Sequence, residues 1–152
     1  MKRIFWAGDS TVQTYNVKYA PQQGWGAYLG ENLSDKVTVS NHAIAGRSSK
    51  SFYDNGRLDT ILGTIKQNDY LLIQFGINDS AANKEERYAP TCGKVPGTDG
   101  SFEAYMAKYI EGAKSKGATP VLVTTVIGLK AYDSKSKKFV GSYSSKLRCT
   151  VS

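Results

Sequence analysis

Histidine, cysteine and proline are scarce in this sequence, at one, two and four residues out of 152. The two cysteines, Cys92 and Cys149, lie far apart with neither CxxC spacing nor a histidine-rich neighbourhood. A zinc site and a disulfide framework are therefore unsupported, and free thiols are expected. No GxGxxG follows the first apolar stretch and no Walker-type lysine is present, so nothing asks for a nucleotide, a metal or any other cofactor. No apolar run is long enough to span a bilayer. Met1-Lys2-Arg3 runs straight into the first apolar stretch with no signal-type segment ahead of it. The chain as given reads as soluble and cytoplasmic, or as secreted where a signal peptide has been removed. Low-complexity tracts and repeats are absent, and 40% hydrophobic with 22% charged residues is an ordinary globular composition. One domain over residues 1–152 is expected, burying roughly two-thirds of its unfolded surface.

Acidic residues are also in deficit, 13 against 20 basic, for a formal charge of +7. Several lysines fall late, at Lys130, Lys135, Lys137, Lys138 and Lys146. Such a field attracts phosphate backbones or acidic polysaccharides such as pectin, but a solvated basic face is its plain reading. No nucleic-acid-binding motif accompanies it, and neither a nucleic acid nor a membrane is expected as partner.

What is present begins with Ile4-Phe5-Trp6-Ala7, an apolar run that stops at Gly8-Asp9-Ser10-Thr11. A buried strand ending in glycine, then a carboxylate and a hydroxyl, is how open α/β sheets place reactive groups at their carboxyl edge. Ser10 is the candidate nucleophile. Pro21, Trp25, Tyr28, Leu29 and Leu33 predict a helix over 24–33 with Trp25 in the core. Val37 to Asn41 reads as a second strand running into His42-Ala43-Ile44-Ala45-Gly46-Arg47-Ser48-Ser49. Gly46 there lets the backbone approach a ligand closely, and its N–H is a candidate oxyanion donor.

Leu58, Ile61, Leu62 and Ile65 predict a helix with Asp54 and Asn55 as caps. Residues 69–75 form the clearest strand, a near-continuous apolar run of the kind buried on both faces, ending in Gly76-Ile77-Asn78-Asp79. A polar loop over 80–100, a helix from Phe102 to Ala113 closed by Gly117, and a strand over 120–126 follow. A further helix near Ser144 is possible, with no fifth strand after it. Alternating strands and helices at these spacings predict an α/β fold with a parallel sheet.

Three strand ends now carry polar residues in one neighbourhood: Asp9-Ser10, Gly46-Arg47 and Asn78-Asp79. The set resembles the SGNH (GDSL-like) hydrolases, and within them the rhamnogalacturonan acetylesterase-type carbohydrate esterases. Gly8-Asp9-Ser10-Thr11 matches the first block, Asn41 to Ser49 the second and Gly76-Ile77-Asn78-Asp79 the third. Gly24-Trp25-Gly26 and Gly46-Arg47-Ser48-Ser49 favour the acetylesterase branch. The resemblance covers residues 1–143 and implies a three-layer α/β/α sandwich on a flavodoxin-like parallel sheet, about four strands of it here. It makes Ser10 the nucleophile, gives the oxyanion hole to the N–H groups of Ser10 and Gly46 and the Asn78 amide, and leaves Asp9 and Asp79 supporting. Arg47 is a candidate substrate-binding residue.

The family's Asp-x-x-His block, which supplies the general base, has no match here, and the chain reads as a C-terminally truncated esterase domain. A serine hydroxyl is a poor nucleophile without a base. His42 is the one histidine available to substitute, with a loop or packing role as its plainer reading. The expected function is removal of O-acetyl groups from plant cell-wall polysaccharide or oligosaccharide through an acyl-serine, impaired by loss of that base. The alternative is a catalytically silent carbohydrate-binding or assembly module. Loss of the family's last strand would leave Val121 to Val126 as an apolar sheet edge, for which a homo-oligomer is expected.

Overall fold

The computed structural model describes residues 2–91, 100–126 and 132–139. Cys92, Cys149 and the segment near Ser144 lie outside the described residues, and with them the expectations of free thiols and of a further helix. Strands β1 (Lys2–Gly8), β2 (Val37–Asn41), β3 (Tyr70–Gln74) and β4 (Thr119–Leu122) form one parallel sheet in the order β2-β1-β3-β4. The register pairs Trp6 with Asn41 on one side and with Leu72 on the other. β1 is central because its run from Phe5 to Ala7 is buried on both faces, and only an interior strand satisfies such a run.

Alternation along β1 divides the core. Phe5 and Ala7 face helices α1 (Ser49–Asp54), α2 (Arg57–Leu62) and α3 (Phe102–Ser115), together with Phe52, Leu58, Ile61, Ile73, Phe75 and Tyr109. Trp6 points to the other face and packs with Val12 and Ala43, flanked by Leu29, Val39, Leu72 and Val123. Arg3 and buried Asp69 lock the amino ends of β1 and β3. The Arg3 N–H donates to Asp69 Oδ1 at 3.1 Å, and the Arg3 guanidinium to Oδ2 at 2.6 Å. Burial pushes the Asp69 carboxyl up, but its bonds from Arg3 and Lys66 outweigh that and hold it below the ordinary value.

Several sequence expectations are corrected. The helix over 24–33 is a pair of 3-10 turns, Trp25–Tyr28 and Gly30–Asn32. Gly24 and Gly26 are held against the backbone of Val12 and Gln13, where an added Cβ would stand 2.3 Å and 2.5 Å from carbonyl oxygens, and that docking overrides α-helical spacing. Trp25 is consequently 40% exposed instead of enclosed in the core, with its ring edge against Trp6. The helix expected after Asp54 is two short helices. Asn55 ends α1, and Gly56, at φ 69°, begins α2 in the left-handed conformation that glycine tolerates. The fourth strand ends at Leu122, short of Val126.

Strands β5 (Tyr132–Asp133) and β6 (Lys138–Phe139) add an unexpected antiparallel hairpin outside the main sheet. The Asp133 carboxylate nucleates its turn by accepting from Lys135 N–H, Ser136 N–H and the Ser136 hydroxyl. The expectation for α3 stands. Ser101 caps it by accepting from Ala104 N–H, and Gly117 at φ 70° follows its end.

Phe52 is fully buried and touches Phe75 and Tyr109 edge-on or tilted, so it joins α1 to β3 and α3. Phe52→Ala is expected to cost about 3–5 kcal/mol, read as a lowered urea midpoint with an unchanged slope.

Candidate active site

Ser10 stands on a single helical turn after β1, in which the N–H groups of Val12 and Gln13 both donate to the Asp9 carbonyl at 3.1 Å. The Asp9 side chain is buried beneath that turn, and its Oδ1 accepts from the Thr11 N–H at 2.9 Å and the Thr11 hydroxyl at 2.7 Å. Burial raises the Asp9 pKa, and the two Thr11 bonds oppose the rise. The chain of donors extends further. Trp25 Nε1–H donates to Gln74 Oε1 at 3.0 Å, and Gln74 Nε2–H donates to Thr11 Oγ1 at 3.0 Å. Asn41 adds a tie from β2 through Nδ2–H to the Val12 carbonyl at 2.8 Å.

Gln74, Asn41 and the indole N–H of Trp25 were missed by sequence reasoning as parts of this support. Gln74 had left a signal: it is a polar side chain inside a run buried on both faces, and such a group must find partners.

The strand order places the loop after β2 and the loop after β3 on either side of Ser10. Ile44 N–H donates to the Gly8 carbonyl, and Ala45 N–H to Gln13 Oε1, which fastens the Gly46 loop to the Ser10 turn. Gly46 has φ 72°, so its glycine is required by the backbone. Across the site, Asn78 Nδ2–H donates to the Arg47 carbonyl at 3.0 Å. One amide hydrogen of Asn78 is thus used in orientation, and the other is free of protein acceptors among the described residues. The N–H groups of Ser10 and Gly46 likewise donate to no protein acceptor among the described residues. The structure therefore brings Ser10, Gly46, Arg47 and Asn78 into one frame, with Asp9 and Asp79 beneath it.

Asp79 is fully buried, and its Oδ1 accepts from both the N–H and the hydroxyl of Ser49. Its Oδ2 has no partner among the described residues. Burial pushes its carboxyl up to about 7 against the pull of the Ser49 bonds. His42 is bonded to residues other than the serine. Its Nε2 is 3.0 Å from the Ser40 hydroxyl, its ring stacks on Phe5, and its carbonyl accepts from Arg57. Burial and the Arg57 charge lower its pKa, keeping the ring neutral at neutral pH. Among the described residues no side chain is hydrogen-bonded to the Ser10 hydroxyl.

Residues 4–151 match the family model described as GDSL-like Lipase/Acylhydrolase. The chain belongs to this family. As a GDSL-like acylhydrolase it is 47% identical over 123 residues to "Probable rhamnogalacturonan acetylesterase YesY" of Bacillus subtilis, covering 81% of this chain and 53% of that protein. It is 40% identical over 124 residues to "Rhamnogalacturonan acetylesterase RhgT" of the same organism, covering 82% of this chain and 49% of that one. This GDSL-like chain thus spans about half the length of the curated relatives it matches. The crystal structure of protein YxiM from Bacillus subtilis superposes with a TM-score of 0.70 at 27% identity, over 96% of this chain and 39% of that chain. The α/β fold with a parallel four-stranded sheet is the fold of these GDSL-like neighbours. No helix among the described residues is long and apolar enough to cross a membrane.

The raised Asp79 carboxyl makes stability depend on pH. Its folded value of about 7 lies above the ordinary 3.8, so its contribution is full below about 3.8 and is lost as pH rises through about 7. Each pH unit between those limits costs about 1.4 kcal/mol from this group. Urea midpoints at pH 5 and pH 8 are expected to fall more in the parent protein than in Asp79→Asn; an equal fall in both would remove Asp79 as the cause.

Proposed function

We propose that the chain is a serine-type carbohydrate O-acetylesterase that removes acetyl groups from cell-wall polysaccharide or its oligosaccharides. The observation that carries the reading is the juxtaposition of three adjacent strand ends in the order β2-β1-β3, bearing the Gly46 loop, Ser10 and Asn78. In this reading the Ser10 hydroxyl attacks the acetyl carbonyl and becomes acylated, the sugar hydroxyl leaves with the proton, and water then releases acetate. The tetrahedral oxyanion is met by the free N–H groups of Ser10 and Gly46 and the Asn78 amide. One such fixed donor lowers the barrier by roughly 3 kcal/mol. The Asn78 bond to the Arg47 carbonyl supports this role, because a pre-oriented amide needs no rearrangement as charge develops.

Substrate class comes from the relatives named as rhamnogalacturonan acetylesterases. Arg47 takes part in binding the saccharide. His42 is the sole histidine of these 152 residues, and its Nε2 lies 3.0 Å from the Ser40 hydroxyl. Acetate release from acetylated oligosaccharide is expected above background and to vanish in Ser10→Ala, with Asn78→Ala reducing kcat by about 10²–10³. Equal rates in the parent and Ser10→Ala would exclude nucleophilic catalysis by Ser10; saccharide binding with no turnover in either would favour a silent binding module.

The exposed β4 edge supports self-association as a second part of the reading. Val121 and Leu122 of β4, and Val126 beyond its end, are 37%, 56% and 47% exposed, and among the described residues β4 pairs with β3 alone. Such an edge pairs readily with another chain. Light scattering at micromolar concentration is expected to give a mass above that of one chain, and Leu122→Lys to return it to a monomer; a monodisperse parent monomer would overturn the association.

A further inference from the structure

The one imidazole of the sequence is paired with a serine other than Ser10: His42 Nε2 lies 3.0 Å from the Ser40 hydroxyl. We infer that Ser40 and His42 form a second nucleophile–base pair on the outer flank of the sheet, where Ser40 is acylated by small activated carboxylic esters. The pair shares no residue with the frame around Ser10, and the inference does not rest on the acetylesterase reading.

Strand alternation puts the pair within reach of solvent. β2 is an edge strand: among the described residues it pairs with β1 alone, and the register sets Ser40 opposite Phe5. Successive side chains leave a strand on opposite faces, so Thr38, Ser40 and Phe5 share one face. Phe5 is buried on that face in the main core, whereas Thr38 is exposed and Ser40 and His42 are half-buried. The face therefore passes from core to water across two strands, with the serine on its open side. The imidazole is fixed from the core side. Its ring stacks on Phe5 with centroids 6.0 Å apart, the His42 N–H donates to the Trp6 carbonyl at 3.0 Å, and the His42 carbonyl accepts from the Arg57 guanidinium at 3.0 Å.

A base must be neutral to take a proton, and burial, followed by the Arg57 charge, lowers the His42 pKa and keeps that form populated. With its hydrogen on Nδ1, the ring offers Nε2 to the Ser40 hydroxyl, the geometry that activates a serine. In the acylation Ser40 Oγ bonds to the acyl carbon as its proton passes to His42 Nε2. The bond from that carbon to the leaving oxygen then breaks, and the imidazolium returns the proton to the leaving oxygen. The products are acyl-Ser40, a free alcohol or phenol, and neutral His42. Among the described residues no carboxylate is bonded to His42 to stabilise the imidazolium, so the pair acts on esters with a good leaving group, such as aryl acetates.

Peptide mass spectrometry after exposure of the protein to p-nitrophenyl acetate locates the acyl group directly. Ser40 is expected to be acetylated, and exposed Thr38 on the same strand face to stay unmodified. His42→Gln is expected to slow acetylation of Ser40 about 10²-fold, the lower end of what a positioned base contributes. Diethyl pyrocarbonate, which blocks the imidazole of the folded parent protein, is expected to cause the same loss, and hydroxylamine to reverse it; this arm decides the matter where His42→Gln does not fold. Acetylated lysines with Ser40 unmodified would overturn the pair. Equal rates at Ser40 and Thr38 would do so by making exposure the cause, as would an undiminished Ser40 rate in folded His42→Gln or after imidazole blockade.

Discussion

The buried Asp9 carboxylate under the first strand end is the constraint on which the site depends. An ionisable group with almost no water depends on protein donors, and the two Thr11 donors reach its Oδ1 only because the chain turns immediately after β1, while Oδ2 has no partner among the described residues. That turn projects Ser10 outward. Thr11 is held in its own position by Gln74, and Gln74 by Trp25, so residues from the third strand and from the 3-10 turns converge on a single hydroxyl oxygen. The glycines at 24 and 26 belong to the same constraint, since only their lack of a side chain lets the Trp25 segment lie on the backbone of Val12 and Gln13.

Electrostatics divide the carboxyl edge into two regions. Around Ser10 the N–H groups of Ser10 and Gly46 and the Asn78 amide stand over the buried carboxyls of Asp9 and Asp79. Beyond Gly46 the groups are guanidiniums. Between them lies the Gly46-Arg47 loop, which the Asn78 side chain fastens by donating to the Arg47 carbonyl. Burial also sets the state of the titratable groups beneath. Asp79 is lifted towards neutrality while Tyr109, donating to the Ser49 carbonyl 2.8 Å away, is pushed well above its ordinary value by burial and by Asp79. Burial thus disfavours the charged form of both groups.

Much of this was legible from residue order. The run through Phe5 and Trp6, and that from Leu71 to Phe75, announce buried parallel strands because no half-exposed strand lacks polar alternation so completely. Gly8-Asp9-Ser10, Gly46 and Asn78-Asp79 stand at the ends of three such runs, which is enough to place them at one edge. The 24–33 segment misled for a physical reason: its apolar spacing is helical, yet Gly24 and Gly26 answer to contacts with residues 12 and 13 that no local pattern reveals. Asn55 and Gly56 misled similarly, since a left-handed glycine breaks one apparent helix into two.

The sequence by itself determined the fold class, the family and the identity of the groups at the strand ends, because hydrophobic periodicity and short motifs are properties of neighbours along the chain. Tertiary structure alone decided which partners those groups have. Gln74 became a support for Ser10, His42 was drawn to Ser40 and Phe5, and Arg87 came to rest against Gly46, 41 positions away in the chain. Hydrogen bonds and unpaired charges depend on distances of a few ångströms between remote residues, and the sheet order β2-β1-β3 is what sets those distances.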